Sequence, residues 1–193
     1  KCIQNPLRGT GMPAQDGLAK GEITADASLV ASLLTHCPAH AETPLVSVPD
    51  LAADLGVSSV HIKDERGRMG LGSFKALGAA FSIAKAAYQK IGEAVSDPAV
   101  AATALNGTTF VTSSAGNHGL SVAAGANIFG AKAVIYLSVH VPTGFADRLR
   151  AMGADVVIAG DDYEASMAAA MDAAKDNGWQ LLSDSTWVED TSG

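Results

Sequence analysis

The sequence predicts an α/β fold: a three-layer arrangement in which a parallel sheet carries helices on both faces. Three observations predict it. From Thr108 to Ser183, short β-branched or apolar runs alternate with longer helical runs, and such alternation builds strand–helix–strand units with right-handed crossovers. Of the 193 residues, 48% are hydrophobic and 17% charged, which supplies a packed core and argues against a disordered chain. Alanine and glycine are abundant while aromatics make up 5%, a composition that lets helices lie close on a sheet.

Each element has its own local cause. The first twenty residues are polar and glycine-rich, with Asn5-Pro6 and Met12-Pro13, and read as an arm that lies on something else. Asp26 is placed to cap a helix running to about His36, with Leu29, Val30, Leu33 and Leu34 on one face, and Cys37-Pro38 ends it. Thr43 to Pro49 reads as extended. Asp50 caps a short helix from Leu51 to Leu55, which Gly56 stops. Ser59 to Lys63 alternates as a strand. Beyond the turn at Gly70-Leu71-Gly72, Ser73 to about Ile91 forms a long helix, and Gly78 inside it points to close packing against a sheet or a ligand. Ser96 to Asn106, with Pro98 and an alanine run, is a second helix or a helix-loop.

From there the alternation is regular. Thr108 to Thr112 is a β-branched strand, and Gly119 to Gly130 is a helix. Ala133 to Leu137 is a buried strand, Pro142 to Met152 a helix, and Asp155 to Ala159 another strand. Tyr163 to Asn177 is a helix that Gly178 closes, before a last strand from Gln180 to Ser183.

Composition excludes several classes of function. A net charge of −7 suits nucleic acid poorly, because phosphate binding needs Lys and Arg to displace counterions. No eighteen-residue apolar run marks a membrane span, and the first residues lack the order of a signal peptide. Cys2 and Cys37 are too few for a disulfide framework, so a reducing cytoplasm is the expected location. His36 and His40 flank Cys37-Pro38, but zinc needs further ligands at a recognisable spacing, and metal binding is not expected. Asp161, Asp162 and Glu164 suit a solvated helix start. Asp147, Arg148 and Arg150 suit an exposed helix face, and Met167 and Met171 suit a core.

Two stretches carry chemistry. In open α/β sheets ligands bind where strands end and helices begin, and both stretches are expected at such junctions. Thr112-Ser113-Ser114-Ala115-Gly116-Asn117-His118-Gly119 follows a strand and opens a helix. Backbone N–H groups at a helix start, among short side chains, make a cradle for an anion such as a carboxylate. The same turn can also be a plain helix start. His118 is either a chemical participant or a side chain that packs on the sheet and bonds backbone. The other stretch runs from Lys63 through a glycine-rich turn to Ser73-Phe74-Lys75. Burial disfavours an ammonium, and a neutral lysine amine can form a Schiff base with an aldehyde, whereas most helix lysines are simply solvated.

Gly72-Ser73-Phe74-Lys75 followed by Ser114-Ala115-Gly116-Asn117-His118-Gly119 resembles the fold-type II pyridoxal-phosphate enzymes, which include threonine and serine dehydratases. The run from Lys63-Asp64-Glu65 to Phe74-Lys75-Ala76-Leu77-Gly78 is most similar to diaminopropionate ammonia-lyases, as are Gly178-Trp179 and Ser183-Asp184-Ser185-Thr186-Trp187. The likeness runs from about Thr43 to Trp187. It implies that Lys75 holds pyridoxal 5'-phosphate as a Schiff base and later removes the substrate's α-proton. It implies that Asn117 hydrogen-bonds the cofactor's ring hydroxyl, and that Ser114, Ala115 and Gly116, with His118 beside them, bind the substrate. Asp184 matches a family aspartate near the site and is carried over as catalytic, a cap or turn role being the plain alternative. The implied reaction is α,β-elimination from a small β-amino or β-hydroxy L-amino acid such as 2,3-diaminopropionate, giving a 2-keto acid and ammonia. A dehydratase or β-replacement activity is the runner-up.

Two departures qualify the resemblance. Ala115 stands where diaminopropionate ammonia-lyases have an aspartate implicated in handling the D-isomer, and it matches the dehydratase form of the loop. The family's second half, with its phosphate-binding glycine tetrad, has no counterpart, and no run of four glycines occurs. The expectation is therefore an N-terminal portion: residues 1–72 an arm and part of a large domain, and residues 73–193 a small α/β domain and the start of the return to the large one. Either a companion chain carries the rest or the sequence is a piece of a longer enzyme, and the full protein is expected to form a homodimer. A non-catalytic amino-acid-binding or assembly fragment is the alternative of another class.

Overall fold

In this computed structural model the structure describes residues 26–184, with Gln4 and Pro6. The arm expected over the first twenty residues and the Ser185-Thr186-Trp187 stretch lie outside the described residues, apart from those two positions. The elements in order are α1 (Ser28–Thr35), β1 (Leu45–Ser47), α2 (Pro49–Leu55), β2 (His61–Lys63), a 3-10 segment (Glu65–Gly70), α3 (Lys75–Ile91), a second 3-10 segment (Gly92–Ser96), α4 (Pro98–Ala101), β3 (Thr109–Ser113), α5 (Asn117–Ile128), β4 (Lys132–Leu137), α6 (Thr143–Ala151), β5 (Asp155–Ile158), α7 (Tyr163–Asn177) and β6 (Gln180–Leu181). None of the described helices is long and apolar enough to cross a membrane.

The last four strands form a parallel sheet in the order β5-β4-β3-β6. Handedness decides the layers. The chain steps from β3 to β4 to β5 in one direction, then returns past both to place β6 on the far side of β3. Right-handed crossovers put helices of opposite stepping direction on opposite faces. Accordingly α3, α5 and α6 cover one face, over Phe110, Ile135 and Leu137, and α7 covers the other through Ala170, against Val111 and Val134. The predicted three-layer architecture is what forms, and its direction reverses between β3 and β6.

The core sits on the α3/α5 face. Ile83, Leu120, Ile135, Leu137 and Leu149 are fully buried there, and each stabilises by roughly 1.5–3 kcal/mol relative to exposure. The two long helices approach closely because α5 carries Gly125. A Cβ at that position would lie 2.9 Å from Ile83 Cδ1 and 3.4 Å from Ala80 Cα. Gly78, where the sequence pointed to tight packing, would place a Cβ with nothing within 4 Å; it borders open space next to Lys75.

Several expectations shift. β1 and β2 do not join the parallel sheet; they pair antiparallel with each other, Val46 opposite Ile62. Leu45, Val46 and Ile62 stay 66%, 44% and 48% exposed, and a two-stranded sheet of this kind is marginal alone. Lys75 therefore does not follow a strand of the parallel sheet. Asp50 lies in the first turn of α2, with Pro49 at its start and no side-chain cap, because proline's missing N–H fits that position. α5 begins at Asn117 rather than Gly119. The ambiguous 96–106 region is the end of a 3-10 segment, one turn of helix and turns. Met171 is 36% exposed, whereas Met167 is buried as expected. Asp26 does accept the Ser28 N–H at 2.9 Å, Asp162 accepts that of Ala165 at 2.8 Å, and Gly56 and Gly178 take the left-handed turn that ends their helices.

Candidate active site

The site grows from three chain segments at the carboxyl end of the sheet. β3 delivers Ser113, and the chain turns through Ser114-Ala115-Gly116 into α5. Ser114 makes this turn rigid: its hydroxyl accepts the N–H of Gly116 at 3.3 Å and of Gly119 at 3.1 Å. Gly119 must be small, since a Cβ there would lie 2.7 Å from the Ser114 carbonyl oxygen. The N–H groups of Ala115, Asn117 and His118 find no acceptor among the described residues. Ala115 and Asn117 are exposed, and Ser114 and Gly116 are partly so. A helix start with unspent donors carries partial positive charge and suits an anion.

The second segment comes after β6. Parallel pairing sets Leu181 beside Val111, and the Leu182 N–H still donates to the Val111 carbonyl at 2.9 Å. The Leu182 carbonyl then accepts the His118 Nε2–H at 2.9 Å. A carbonyl can only accept, so the proton sits on Nε2. His118 is 6% exposed. The plain reading of His118 thus describes its observed bond, and its edge still borders a cavity that it shares with Lys75.

The third segment brings the lysine. Lys75 is the first residue of α3, and its Nζ donates to Asp184 Oδ2 at 2.6 Å, also lying 5.9 Å from the Phe74 ring centroid. The cavity, about 290 Å³, is lined by Phe74, Lys75, Gly78, Ser82, His118 and Asp184, among others. Lys75, His118 and Asp184 are thereby brought together across more than one hundred residues of sequence. The apolar surroundings expected for Lys75 from its neighbours are not what it meets: its ammonium faces a carboxylate, and both side chains are about one-third exposed, 37% and 32%. Ser114, Ala115, Gly116 and Asn117 form the adjoining turn and do not line this cavity.

The loop that leads to Lys75 is anchored from behind. Arg68 is 7% exposed. Its guanidinium donates to both Glu65 carboxylate oxygens at 2.6 and 2.8 Å, to Thr43 Oγ1 at 2.9 Å and to the Ala41 carbonyl at 3.1 Å. Arg68 and the Thr43 hydroxyl hold the Glu65 carboxyl down at about 2. Next in the chain, Met69 takes a left-handed φ of 50°, uncommon without a glycine's freedom, and the glycine turn begins.

Sequence reasoning missed Tyr163, which opens α7. Partial burial pushes its phenol up, helped by the Asp184 and Glu164 carboxylates and opposed by Lys75. Its signal was positional: it starts the helix after β5, on the same edge of the sheet. A larger cavity, about 410 Å³, lies on the other side of α3 between Val30, Cys37, Met69, Leu77 and Phe81. Its walls are mostly apolar, and the lysine is not among them.

Comparison with known proteins identifies the family. The family described as "Pyridoxal-phosphate dependent enzyme" matches residues 37–191. A diaminopropionate ammonia-lyase of Salmonella typhimurium is 34% identical over 158 residues, which are 78% of this chain and 39% of that protein. A chloroplastic biosynthetic threonine dehydratase of Solanum lycopersicum is 34% identical over 137 residues, 71% of this chain and 20% of that one. The crystal structure of Escherichia coli diaminopropionate ammonia lyase in complex with an aminoacrylate-PLP azomethine reaction intermediate superposes with a TM-score of 0.72 at 30% identity, covering 83% of this chain and 41% of that one. The chain spans about two-fifths of the length of the ammonia-lyases it matches.

Proposed function

The chain belongs to the pyridoxal-phosphate dependent enzyme family, and from that premise we propose that it acts in an ammonia-lyase. The substrate is a small L-amino acid with a β-amino or β-hydroxyl group, 2,3-diaminopropionate first among them. The observation that carries this is the Lys75–Asp184 contact of 2.6 Å, set in a cavity beside an α5 start whose N–H donors are unspent.

The residues present fit the reactive end of pyridoxal 5'-phosphate. A primary amine, held by a carboxylate at the edge of a cavity, meets the requirement of an aldehyde. Donors for an anionic substrate group stand at the adjoining helix start. When bound, the cofactor supplies an electron sink for the substrate's α-carbon. Lys75 Nζ would be the amine that holds the cofactor's aldehyde carbon, and as a free amine it would take the proton from the substrate's α-carbon. Asp184 orients Lys75 Nζ and is placed to receive its proton. The turn at Ser114, Ala115 and Gly116 would hold the substrate carboxylate through backbone and hydroxyl donors, and Asn117 would hydrogen-bond the cofactor's ring hydroxyl. The net reaction would turn the amino acid into a 2-keto acid, the β-amino or β-hydroxyl group leaving as ammonia or water and a water releasing the α-amine as ammonia.

Ala115 favours a second reading, a threonine or serine dehydratase, which the likeness to a threonine dehydratase also supports. β-Replacement is a variant in which a thiol or other nucleophile adds before hydrolysis. The same premise suggests the division into residues 1–72 and 73–193, a homodimer and a cytoplasmic location. Sedimentation and cell fractionation test the last two.

Addition of pyridoxal phosphate, borohydride reduction and peptide mass spectrometry test the reading directly. The label falls on Lys75, and Lys75→Ala loses both label and near-visible absorbance. Uptake at another lysine, or none, overturns it. Release of keto acid from diaminopropionate but not from serine or threonine selects the ammonia-lyase, and the reverse selects the dehydratase.

A further inference from the structure

We infer that His118 is a positioning residue for Asp184. This deepens the lyase reading and rests on Lys75 and Asp184 having the roles proposed for them.

β6 is two residues long, Gln180–Leu181, too short for ladder bonds alone to fix the segment beyond it. Leu182 is held twice: its N–H by the Val111 carbonyl at 2.9 Å, and its carbonyl by His118 Nε2–H at 2.9 Å. Two residues later Asp184 reaches Lys75 Nζ. His118 itself cannot wander, being 6% exposed in the first turn of α5. It therefore ties the start of α5 to the segment that aims the carboxylate, and Lys75, His118, Leu182, Ser183 and Asp184 border one cavity. Donation to the Leu182 carbonyl commits Nε2–H to holding this segment and leaves Nδ1 as the ring's acceptor.

The replacements differ in one respect, whether a donor reaches Leu182. Gln can place an amide N–H where Nε2–H sits, and Leu cannot. In His118→Leu, amide hydrogen exchange in peptides spanning residues 180–184 rises about tenfold, the scale of one lost buried hydrogen bond, and His118→Gln returns it to within about threefold of wild type. Exchange in α7 stays unchanged in both. If His118→Leu does not fold, His118→Asn, whose shorter amide stops short of Leu182, takes its place. Unchanged exchange in residues 180–184, or no recovery with Gln, overturns the inference.

A double-mutant cycle on the full enzyme supplies the functional arm. His118→Leu and Asp184→Asn each lower kcat more than they alter KM, and the double variant is no slower than Asp184→Asn alone. Full additivity means that His118 acts on its own and overturns the inference. If wild-type protein turns over no amino acid and takes no cofactor on Lys75, the lyase reading fails, while the exchange experiment still decides whether His118 fixes the 182–184 segment.

Discussion

Gly119→Ala separates the site from the scaffold. The new Cβ would stand 2.7 Å from the Ser114 carbonyl oxygen, 3.4 Å from Ser114 Cβ and 3.5 Å from Ile135 Cγ2. Only the first contact is untenable, and it is with backbone, so a rotamer change cannot relieve it. Restoring ordinary contact, which begins near 3.4 Å, moves the Ser114 carbonyl by about 0.7 Å. In a helix interior alanine gains up to about 1 kcal/mol over glycine, against about 1–3 kcal/mol for overpacking. The net loss is about 0–2 kcal/mol, a fall of a few degrees in Tm. Function is hit harder. The displaced turn carries the N–H donors assigned to the substrate carboxylate, and a misplacement approaching 1 Å can cost on the order of a hundredfold in rate. Thermal denaturation, Lys75 labelling and keto-acid release measure the three consequences. The expected pattern is a small change in Tm, intact labelling and a tenfold or greater loss of kcat/KM on the order of that misplacement cost. Wild-type kcat/KM with Ala at 119 would refute the assignment of the turn to substrate binding.

Other perturbations have defined outcomes. Among the described residues Thr112 Oγ1 is buried with no hydrogen-bond partner, so the near-isosteric Thr112→Val raises stability by about 1 kcal/mol in urea titration. Ile83→Ala empties the contact between α3 and α5 and costs about 2–5 kcal/mol, read by the same titration. Glu65 has its folded carboxyl depressed from 4.5 to about 2 by Arg68 and Thr43. The stability this contributes is fully present above about pH 4.5, where the unfolded carboxyl is ionised, and is lost as pH falls towards 2. Glu65→Gln removes that part of the pH dependence, which urea midpoints measured across this window detect.

How much of this could be read in the sequence depends on the range of the interaction. Helices and strands of the 108–183 region arise from periods and caps within a few residues, so Gly178, Asp162 and the β-branched run at Thr109 were legible. Lys75 and the turn at Ser114 were legible through their residue types. The pairing of Lys75 with Asp184 was not, because it depends on β6 inserting beside β3 rather than continuing past β5. Nor was the role of Gly125. Its meaning lies in the approach of α3, and glycine at 78 looked equally unusual. The antiparallel pair of β1 and β2 misled for the same reason: a short alternating run such as Ser59 to Lys63 looks alike in either type of sheet. The influence of the Asp184 and Lys75 charges on Tyr163 arises from the position of α7, which no local pattern encodes.

The direction reversal of the sheet accounts for why these residues meet. Between β3 and β6 the crossover helices leave on opposite faces, α5 above and α7 below, so the chain cannot fill the crevice at the strand ends with its own connections. Into that crevice come the start of α5 from β3, the segment 182–184 from β6 and the start of α3 packed on α5. Each contributes a different chemistry: backbone donors, a carboxylate and an amine. Only α3 is not attached to the sheet directly, and its register rests on the fit of Ile83 and Ala80 against Gly125. The helix–helix contact therefore sets the distance of the amine from both the anion cradle and the carboxylate, while the β3–β6 pairing sets the distance between cradle and carboxylate. A substitution at Gly125 should disturb the first two distances and spare the third, so that labelling of Lys75 and keto-acid release both fall; wild-type values of both would refute this dependence.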